Sequence, residues 1–478
     1  MQRATTTRKP ATVVEQTAIR NRRRRRGVAV GLALCLSALG AEAGAAERRA
    51  DHVVLISIDG LRPEFYLDAT WPAPRIQQMA RDGASAEGVV GVFPSVTYPS
   101  HTSMVTGALP VRHGIYNNQP FEPGGQTGRW YWHAEAIRAE TLWQAVRGAG
   151  GTTAAFSWPV SEGAPIDRVV PEIWALSGDV LEPMRAGSKP EGLWRELVER
   201  AAPGLETARF SIDYTSRDDV TGAAASYLFE TYRPTLLAVH LIAVDHFEHA
   251  DGRDSDRVRL AVAAADRAIA TIVEGVQRAG VLDRTAFVVT GDHGFVELHT
   301  EVRPNVWLAA AGLTEEAPDR GDWTATFHTA GGAALLYTRQ AGDAAAEAVA
   351  AARRAVDAQP ERVQRLFRVV ERDELQRLGA DPQVAFALTG ALGVSFSATA
   401  SGAAVGPTVG GTHGYAPDDF PQIHTGFVGW GAGFASGRTV HRMRLVDIAP
   451  TVAELLGLDF AAPDGVAPLG VLTQAASD

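Results

Sequence analysis

The sequence has almost no cysteine, since Cys35 is the only one in 478 residues. It lies in a short apolar run, GVAVGLALCLSALG, that we expect to be removed from the mature protein. Nothing then remains for disulfide bonds or for thiolate metal sites. This apolar run is also too short to span a bilayer comfortably, so the sequence does not predict a stable membrane anchor.

The first 46 residues have the features of an export signal. Five consecutive Arg at positions 22–26 directly precede the apolar run, and small residues from Ala41 to Ala46 supply an Ala-x-Ala type cleavage site. The basic run could instead be a nucleic-acid patch, but its position favours export, with the twin-arginine route left open. We therefore expect residues 1–46 to be a signal peptide or disordered N-terminus, and the protein to be periplasmic or secreted.

The charge of the remaining chain indicates the class of partner. Removal of residues 1–46 takes away nine Arg or Lys and two Asp or Glu, which changes the formal net charge from −10 to −17. Binding along a nucleic-acid backbone needs a basic stripe. The acidic balance therefore argues against polynucleotide as the main partner.

Residues 47–478 alternate between apolar strand patterns and helix patterns. The segments HVVLISI, TLLAVHLIAV and TAFVVT are typical of buried parallel strands, and SDRVRLAVAAADRAIATIVEGVQRAG has a strong helical period. Repeated alternation predicts an α/β fold with a mostly parallel central sheet and helices on both faces. We expect a single catalytic domain over residues 47–478, with inserted peripheral structure at about 294–412.

Several polar side chains follow these strands or lie in glycine-bearing turns. Six are ligand types for divalent cations and one is a hydroxyl nucleophile: Asp59, Asp245, His249, Asp292, His293, His413 and Thr97. The carboxyl ends of strands in an open α/β sheet converge on one crevice. Each residue taken alone also fits an ordinary turn, but together they predict a two-metal site for phosphoryl transfer.

The loop FPSVTYPSH offers the nucleophile. Thr97 precedes an apparent helix that begins at about Ser100, and helix N-termini bind phosphate. A threonine hydroxyl becomes nucleophilic at neutral pH when a divalent cation activates it. Ser95, Thr102 and Ser103 share this chemistry with Thr97 and Ser100, so the loop sequence alone leaves the choice open.

The motifs together resemble a known family. In chain order, LISIDG, FPSVTYPSHTSMVTG, VDHFEHADG, TGDHGF and GTHGY are similar to the nucleotide pyrophosphatase/phosphodiesterase family of the alkaline phosphatase superfamily. The segments HGIYNN and FSWPVSEG also resemble family segments, and the similarity covers most of residues 51–460. The resemblance implies an alkaline phosphatase-like fold and hydrolysis of phosphodiester or pyrophosphate bonds in nucleotides.

The resemblance also implies a metal centre. Asp245, His249 and His413 would bind the first of two zinc ions. Asp59, Asp292 and His293 would bind the second. Thr97 would be the nucleophile on the second zinc and would form a covalent phospho-threonine intermediate, which water on the first zinc hydrolyses. Mixed Asp and His ligands suit tetrahedral zinc better than octahedral magnesium.

Three further positions are implied to bind substrate. Asn118 matches the family residue that donates to a non-bridging phosphoryl oxygen. Tyr98 matches an aromatic position that stacks on the nucleoside, and Trp158 is a further candidate for the pocket. One departure stands out, because Glu248 occupies the place where the family usually has Gly before the ligand His249. We expect this change to alter the conformation of the turn and the access of ligands to the first metal.

Three functions compete. The leading hypothesis is an exported two-zinc phosphodiesterase or nucleotide pyrophosphatase. A phosphomonoesterase or phosphonate hydrolase on the same fold would share every ligand, and a non-catalytic phosphate- or lipid-headgroup-binding protein belongs to another class. No Lys or Arg lies between Val92 and Leu109, so the extra charge of a monoester has no nearby cation unless Arg112 or Arg138 reaches in. The absence of a C/S-x-P-x-R motif excludes sulfatase chemistry.

Overall fold

The computed structural model describes residues 48–207, 210, 213–315 and 323–473. The predicted signal segment, residues 1–46, lies outside these residues. Within the part of the chain that is described, no helix combines the length and the apolar character needed to cross a membrane.

The strands of the described residues are numbered here in chain order. They are β1 (His52–Ile58), β2 (Ala84–Ala86), β3 (Val89–Val90), β4 (Thr153–Phe156), β5 (Arg168–Val170), β6 (Leu236–Leu241), β7 (Thr285–Thr290), β8 (Val296–Glu297), β9 (Thr300–Val302), β10 (Ala325–Ala330), β11 (Ala333–Thr338), β12 (Phe367–Val370), β13 (Ala387–Gly390), β14 (Val394–Phe396), β15 (Val405–Pro407), β16 (Gly411–Thr412), β17 (Phe427–Gly431), β18 (Arg438–Val440) and β19 (Met443–Arg444).

Helices connect and cover these strands. The α-helices are Glu64–Leu67, Pro74–Asp82, Thr97–Thr106, Pro110–His113, Leu142–Gly148, Glu182–Gly187, Leu193–Arg200, Tyr214–Tyr232, Ala243–Asp251, Asp256–Arg278, Pro304–Ala310, Asp343–Asp357, Glu361–Gln364, Arg372–Arg377 and Ile448–Leu456. Short 3-10 helices are Ala134–Ala136, Pro203–Glu206, Leu282–Arg284, Pro421–Ile423, Leu445–Asp447 and Leu469–Val471.

Eight strands form the central sheet, in the order β18-β2-β17-β7-β1-β6-β4-β5. β1 pairs in parallel with both β6 and β7, and β4 pairs in parallel with β5 and β6. Only β17 runs the other way, antiparallel to its neighbours β7 and β2. The prediction of a mostly parallel α/β sheet is confirmed.

Helices cover both faces of this sheet, as the sequence predicted. Val54 and Ile56 of β1 pack in one apolar cluster with residues of the helix Asp256–Arg278. Leu55 points to the opposite face and packs with residues of the helix Ile448–Leu456. Because side chains alternate between faces along a strand, a strand covered on both sides must be apolar throughout. This double burial explains the uninterrupted apolar run of β1.

The segment between β7 and β17 adds smaller sheets, which confirms the inserted peripheral structure. A four-stranded antiparallel sheet has the order β10-β11-β13-β12. Ala348, Ala352 and Val356 of the helix Asp343–Asp357 pack against it in an apolar cluster with Phe327 of β10. A three-stranded sheet of β14, β9 and β15 lies in the same part of the sequence.

Candidate active site

The carboxyl ends of β1, β6 and β7 lie side by side at one edge of the central sheet. Asp59 directly follows β1, and Asp292 and His293 follow β7 after one glycine. Asp245 is the third residue of the helix Ala243–Asp251, which follows β6. The parallel register thus places four polar side chains from distant parts of the sequence at one edge.

Asp245, His249 and His413 form a first group. Asp245 and His249 are one helical turn apart, and Nε2 of His249 lies 3.3 Å from Oδ1 of Asp245. His413 follows β16, and its Nε2 lies 3.1 Å from Nε2 of His249 and 3.6 Å from Oδ1 of Asp245. The three ligand atoms lie within 4.8 Å of one another, close enough to share one metal ion.

His293 joins a second group with Asp59 and Asp292. Its Nε2 lies 3.3 Å from Oδ1 of Asp59 and 3.0 Å from Oδ2 of Asp292. Ligand atoms of Asp59, His293 and Asp245 also lie within 4.8 Å of one another. Asp245 therefore lies between the two groups, which the sequence did not indicate.

Backbone carbonyl groups orient two of the histidines. Nδ1 of His249 lies 2.9 Å from the carbonyl oxygen of Gly411, and Nδ1 of His413 lies 2.9 Å from that of Ser95. A carbonyl oxygen only accepts hydrogen bonds, so each Nδ1–H donates and each Nε2 carries a lone pair. Two such Nε2 atoms 3.1 Å apart repel unless a cation lies between them. Metal-binding histidines are oriented in this way.

The carboxylates show a matching pattern. Oδ2 of Asp59 lies 3.1 Å from Nε2 of His240, and Oδ1 of Asp292 accepts a 3.1 Å hydrogen bond from the backbone N–H of Gly60. The other oxygen of each carboxylate, Oδ1 of Asp59 and Oδ2 of Asp292, is buried without a hydrogen bond among the described residues. Buried anionic oxygens are costly unless a cation compensates them. These nitrogen and oxygen donors fit divalent metal ions.

The electrostatics of the two groups agree with this fit. Burial and the neighbouring charge of Asp245 raise the pKa of Asp59, and a cation would reverse that rise because it favours the ionised form. Burial also acts to raise the pKa of Asp245, but His249 and His413 outweigh it and bring that pKa to about 2. Burial and His293 lower the pKa of His413. Burial also acts to lower the pKa of His249, but Asp245 outweighs it and raises that pKa, which a bound cation would lower again. Ionised Asp and neutral His are the forms that bind metals.

Thr97 is the first residue of the helix Thr97–Thr106, which begins three residues before the predicted start. Pro99 directly precedes the predicted start at Ser100, and proline in the interior of a helix breaks it. In the first helical turn, however, the N–H that proline lacks has no helical partner to lose. Nδ1–H of His101 donates a 2.8 Å hydrogen bond to the carbonyl oxygen of Thr97, and this nitrogen lies 3.8 Å from Oδ2 of Asp292.

Burial separates Thr97 from the other hydroxyl side chains of its loop. Thr97 is 7% exposed, whereas the other four are at most 1% exposed: Ser95, Ser100, Thr102 and Ser103. Oγ of Ser95 donates to the carbonyl oxygen of Tyr415, and Oγ1 of Thr102 donates to that of Tyr98. Accessibility therefore favours Thr97 as the nucleophile.

Asn118 lies next to this helix N-terminus. Its Oδ1 accepts a 2.9 Å hydrogen bond from the backbone N–H of Tyr98. The same side chain lines a pocket of about 230 Å³ together with Val96, His249 and His413. Because Oδ1 is engaged, the NH₂ group of Asn118 is the part of the amide that is left to donate to a ligand.

A family model described as "Type I phosphodiesterase / nucleotide pyrophosphatase" matches residues 53–416. The chain belongs to this family. A pyrophosphatase/phosphodiesterase of Schizosaccharomyces pombe, itself uncharacterized, is 25% identical over 260 residues, which are 54% of this chain and 47% of the relative. Ectonucleotide pyrophosphatase/phosphodiesterase family member 1 of Homo sapiens is 24% identical over 248 residues, 50% of this chain and 23% of that protein. The chain thus spans about half or less of these two relatives.

Solved structures show the same fold. Human ectonucleotide pyrophosphatase/phosphodiesterase 5 superposes with a TM-score of 0.64 at 16% identity, covering 88% of this chain and 100% of that one. The murine protein, solved as an inactive variant in complex with AMP, has a TM-score of 0.63 at 18% identity, covering 89% and 100%. The predicted family fold is therefore confirmed, and the relatives are named as phosphodiesterases and nucleotide pyrophosphatases.

Glu248, the residue that departs from the family pattern, points away from the pocket. It is fully buried, and its Oε1 lies 2.9 Å from Nε of Arg62, which is also fully buried. Its other oxygen, Oε2, packs against Gly60, where an added Cβ would come within 2.5 Å of it. Glu248 therefore braces the loop after β1 and leaves the face of His249 that meets His413 open.

The structure does not bring Tyr98 and Trp158 to the pocket surface. Both side chains are fully buried, Trp158 between His101 and Trp143 and Tyr98 in a separate apolar cluster. Neither ring presents a free face to a ligand, so their expected role in binding the substrate is not supported by this placement. Trp130 lines the pocket instead, with its ring centroid 5.2 Å from that of Tyr98.

The sequence reasoning also missed His240 and Glu172. His240 lies in β6, where a histidine interrupts the apolar run LLAVHL, and Glu172 follows β5. A single polar residue inside an otherwise buried strand was the available signal for His240. Glu172 had no comparable signal, because its role depends on contacts with residues far away in the sequence.

Proposed function

We propose that this protein hydrolyses phosphodiester or pyrophosphate bonds of nucleotides, with two zinc ions and Thr97 as the nucleophile. The observation that carries the proposal is the convergence of histidine Nε2 lone pairs and buried carboxylate oxygens without a hydrogen bond beside the N-terminus of the Thr97 helix. Membership of the family and the AMP complex of the murine relative support a nucleotide substrate.

Two ligand sets would hold the metals. The residues proposed for the first zinc are Asp245, His249 and His413. Those proposed for the second zinc are Asp59, Asp292 and His293. Bound zinc would lower the pKa of a coordinated hydroxyl and offset negative charge on the phosphoryl group. Asp245 lies within reach of both ligand sets and would help to set the distance between the ions.

The reaction at phosphorus is assigned to Thr97. Its oxygen forms a bond to phosphorus while the bond from phosphorus to the leaving oxygen breaks, which gives a phospho-threonine and an alcohol or phosphate product. The positive end of the helix dipole and the NH₂ group of Asn118 face the non-bridging oxygens. The oxygen of a water molecule then forms a bond to phosphorus while the bond between the Thr97 oxygen and phosphorus breaks. A proton from this water restores the Thr97 hydroxyl group, and the phosphorylated product leaves.

The charge of the pocket favours diesters over monoesters. Among the described residues that line it, none is Lys or Arg. Arg112 is largely exposed and pairs with Asp464 at 3.0 Å, and Arg138 bonds to the hydroxyl of Tyr116 at 3.4 Å. A monoester carries one more negative charge than a diester and gains from a cationic side chain that this pocket does not offer. The expected product from a nucleotide diester is a 5′-monophosphate.

A substrate panel tests the function. The thymidine 5′-monophosphate p-nitrophenyl ester, bis-p-nitrophenyl phosphate, p-nitrophenyl phosphate and ATP would be compared by kcat/KM with zinc-loaded protein. We expect the thymidine diester to be the best of the p-nitrophenyl substrates, with p-nitrophenyl phosphate at least about 10-fold poorer, a difference of about 1.4 kcal/mol in transition-state binding. A higher kcat/KM for p-nitrophenyl phosphate would identify a monoesterase instead.

We also propose that the protein is exported to the periplasm or the medium, as the Arg run and apolar segment in residues 1–46 indicate. Expression of the full chain in a bacterial host, followed by fractionation and N-terminal sequencing, tests this. The expected mature N-terminus lies near Ala46. A cytoplasmic protein that keeps residues 1–46 would contradict export.

A further inference from the structure

Glu172 is a buried carboxylate that connects two parts of the candidate site. Its Oε1 accepts a 3.0 Å hydrogen bond from the hydroxyl group of Tyr98, and its Oε2 lies 2.7 Å from Nδ1 of His240. Nε2 of His240 in turn lies 3.1 Å from Oδ2 of Asp59. Tyr98, Glu172, His240 and Asp59 are each at most 7% exposed.

These hydrogen bonds connect the helical turn of the proposed nucleophile, Thr97, to a proposed metal ligand, Asp59. Tyr98 directly follows Thr97 in the same helical turn, while Asp59 belongs to the second proposed ligand set. The partners come from four separate segments: Tyr98 and Glu172 are 74 positions apart in the sequence, and Glu172 and His240 are 68 positions apart. Buried polar groups with satisfied partners specify one arrangement, because any displacement leaves an unpaired group in the core.

We propose that Tyr98, Glu172 and His240 form a positioning network that fixes the Thr97 turn relative to Asp59. The inference rests on the proposed function, since Thr97 and Asp59 are the nucleophile and the ligand whose separation it controls. Tyr98 thereby acts through its hydroxyl group and not as a surface on which a nucleobase stacks. Outer partners of metal ligands typically contribute about 10- to 100-fold to affinity or activity.

Tyr98→Phe separates the two roles of this side chain, because it removes the hydroxyl group and keeps the ring. A positioning role predicts a kcat about 10- to 100-fold lower, with KM within about twofold of wild type. A stacking role predicts that kcat and KM both stay near their wild-type values, because the phenylalanine ring would stack as well as tyrosine. Retention of wild-type kcat in Tyr98→Phe would overturn the proposal.

Tyr337→Phe is the matched control. The hydroxyl group of Tyr337 donates at 2.8 Å to the buried Oδ2 of Asp381 in the peripheral sheet, so this variant also removes a buried tyrosine–carboxylate bond. We expect it to lower the thermal stability of the protein and to leave kcat unchanged. An equal loss of kcat in Tyr98→Phe and Tyr337→Phe would show a general effect of stability and overturn the network.

Glu172→Gln tests whether the residues act as a unit. The single variants and the double variant Tyr98→Phe/Glu172→Gln would be compared for kcat and for zinc affinity, measured by competition with a chromophoric chelator in the absence of substrate. We expect kcat and zinc affinity in the double variant to fall about as far as in the more damaging single variant, since both substitutions interrupt the same network. The proposal would be overturned if the fold-losses of kcat in the two single variants multiplied in the double variant. Unchanged zinc affinity in Glu172→Gln would also overturn it.

The zinc measurements also separate this inference from the proposed function. If wild-type protein cleaved none of the panel diesters, the function would fail while the effect of Glu172→Gln on metal affinity would still be measured. The visible spectrum of cobalt-substituted protein adds a readout of ligand geometry. It should change in Glu172→Gln and stay the same in Tyr337→Phe.

Discussion

At the scale of single residues, the most informative comparison lies within one loop. Five hydroxyl side chains stand within nine positions, and their chemistry in solution is nearly the same. Packing separates them, since Thr97 keeps 7% of its surface exposed and the others are at most 1% exposed. A nucleophile must reach a substrate. The exposed fraction of each side chain therefore favours Thr97 among five hydroxyl groups that the sequence alone could not rank as nucleophiles.

Replacement of Thr97 by Ala tests this choice. We expect kcat to fall by about 10³-fold or more while zinc content stays the same, since the variant loses the nucleophile and keeps every proposed Asp and His ligand. The matched control is Ser100→Ala, which removes a fully buried hydroxyl group three residues away. Turnover near the wild-type level in Thr97→Ala would assign the nucleophile to another group.

At the scale of helices, His113 connects two of them beside the site. It ends the short helix Pro110–His113, and its Nε2 lies 3.0 Å from Oγ of Ser103 in the helix Thr97–Thr106. The backbone N–H of Ile115 donates to its Nδ1 at 3.1 Å. Since an N–H can only donate, Nδ1 must be unprotonated and the ring must be neutral.

This geometry predicts that acid weakens the contact. Burial lowers the pKa of His113 from 6.5 to about 3, so the unfolded chain binds more protons than the folded one between these values. The stabilisation is complete above pH 6.5 and is lost as the pH falls towards 3. Between pH 7 and pH 5 the loss due to this residue should be about 2 kcal/mol, at about 1.4 kcal/mol for each pH unit below 6.5.

Urea unfolding at pH 7 and pH 5 measures this effect. In His113→Asn the Oδ1 atom replaces Nδ1 as the acceptor, so the free energy of unfolding should fall less between the two pH values than it does in wild type. His133→Asn, which replaces an exposed histidine, is the control variant. The same pH dependence in His113→Asn as in wild type would contradict the assignment.

At the scale of the whole molecule, the central sheet and the proposed metal centre depend on each other. The proposed ligands follow β1, β6, β7 and β16, so bound metal would tie together segments that are up to 354 residues apart, from Asp59 to His413. A ligand that binds only the folded state adds to its stability. Metal removal should therefore affect stability as well as activity.

Purified active protein should contain about two zinc ions, measured by elemental analysis. Treatment with a chelator should abolish hydrolysis and lower the melting temperature, because free zinc at about 1,000 times its Kd stabilises the folded state by about 4 kcal/mol for each site. Addition of zinc should restore both properties. One ion or fewer in fully active protein would contradict the two-metal proposal.

The sequence alone determined the class of fold, the presence of inserted peripheral structure and the family. Strands buried on both faces must be apolar throughout, and long helices must repeat every 3.6 residues, so both patterns are visible without coordinates. The candidate ligands were visible for a similar reason. Asp and His next to glycine at the end of an apolar strand can be recognised as candidate ligands from the sequence, whatever the tertiary structure is.

Only the tertiary structure decided how these residues relate to one another. It buried Tyr98 against Glu172, placed Asp245 between two ligand groups and turned Glu248 towards Arg62. Each of these features depends on contacts between segments that are distant in the sequence and meet only when the sheet forms. Local pattern carries no information about such contacts, because burial and pairing energies belong to the packed core as a whole.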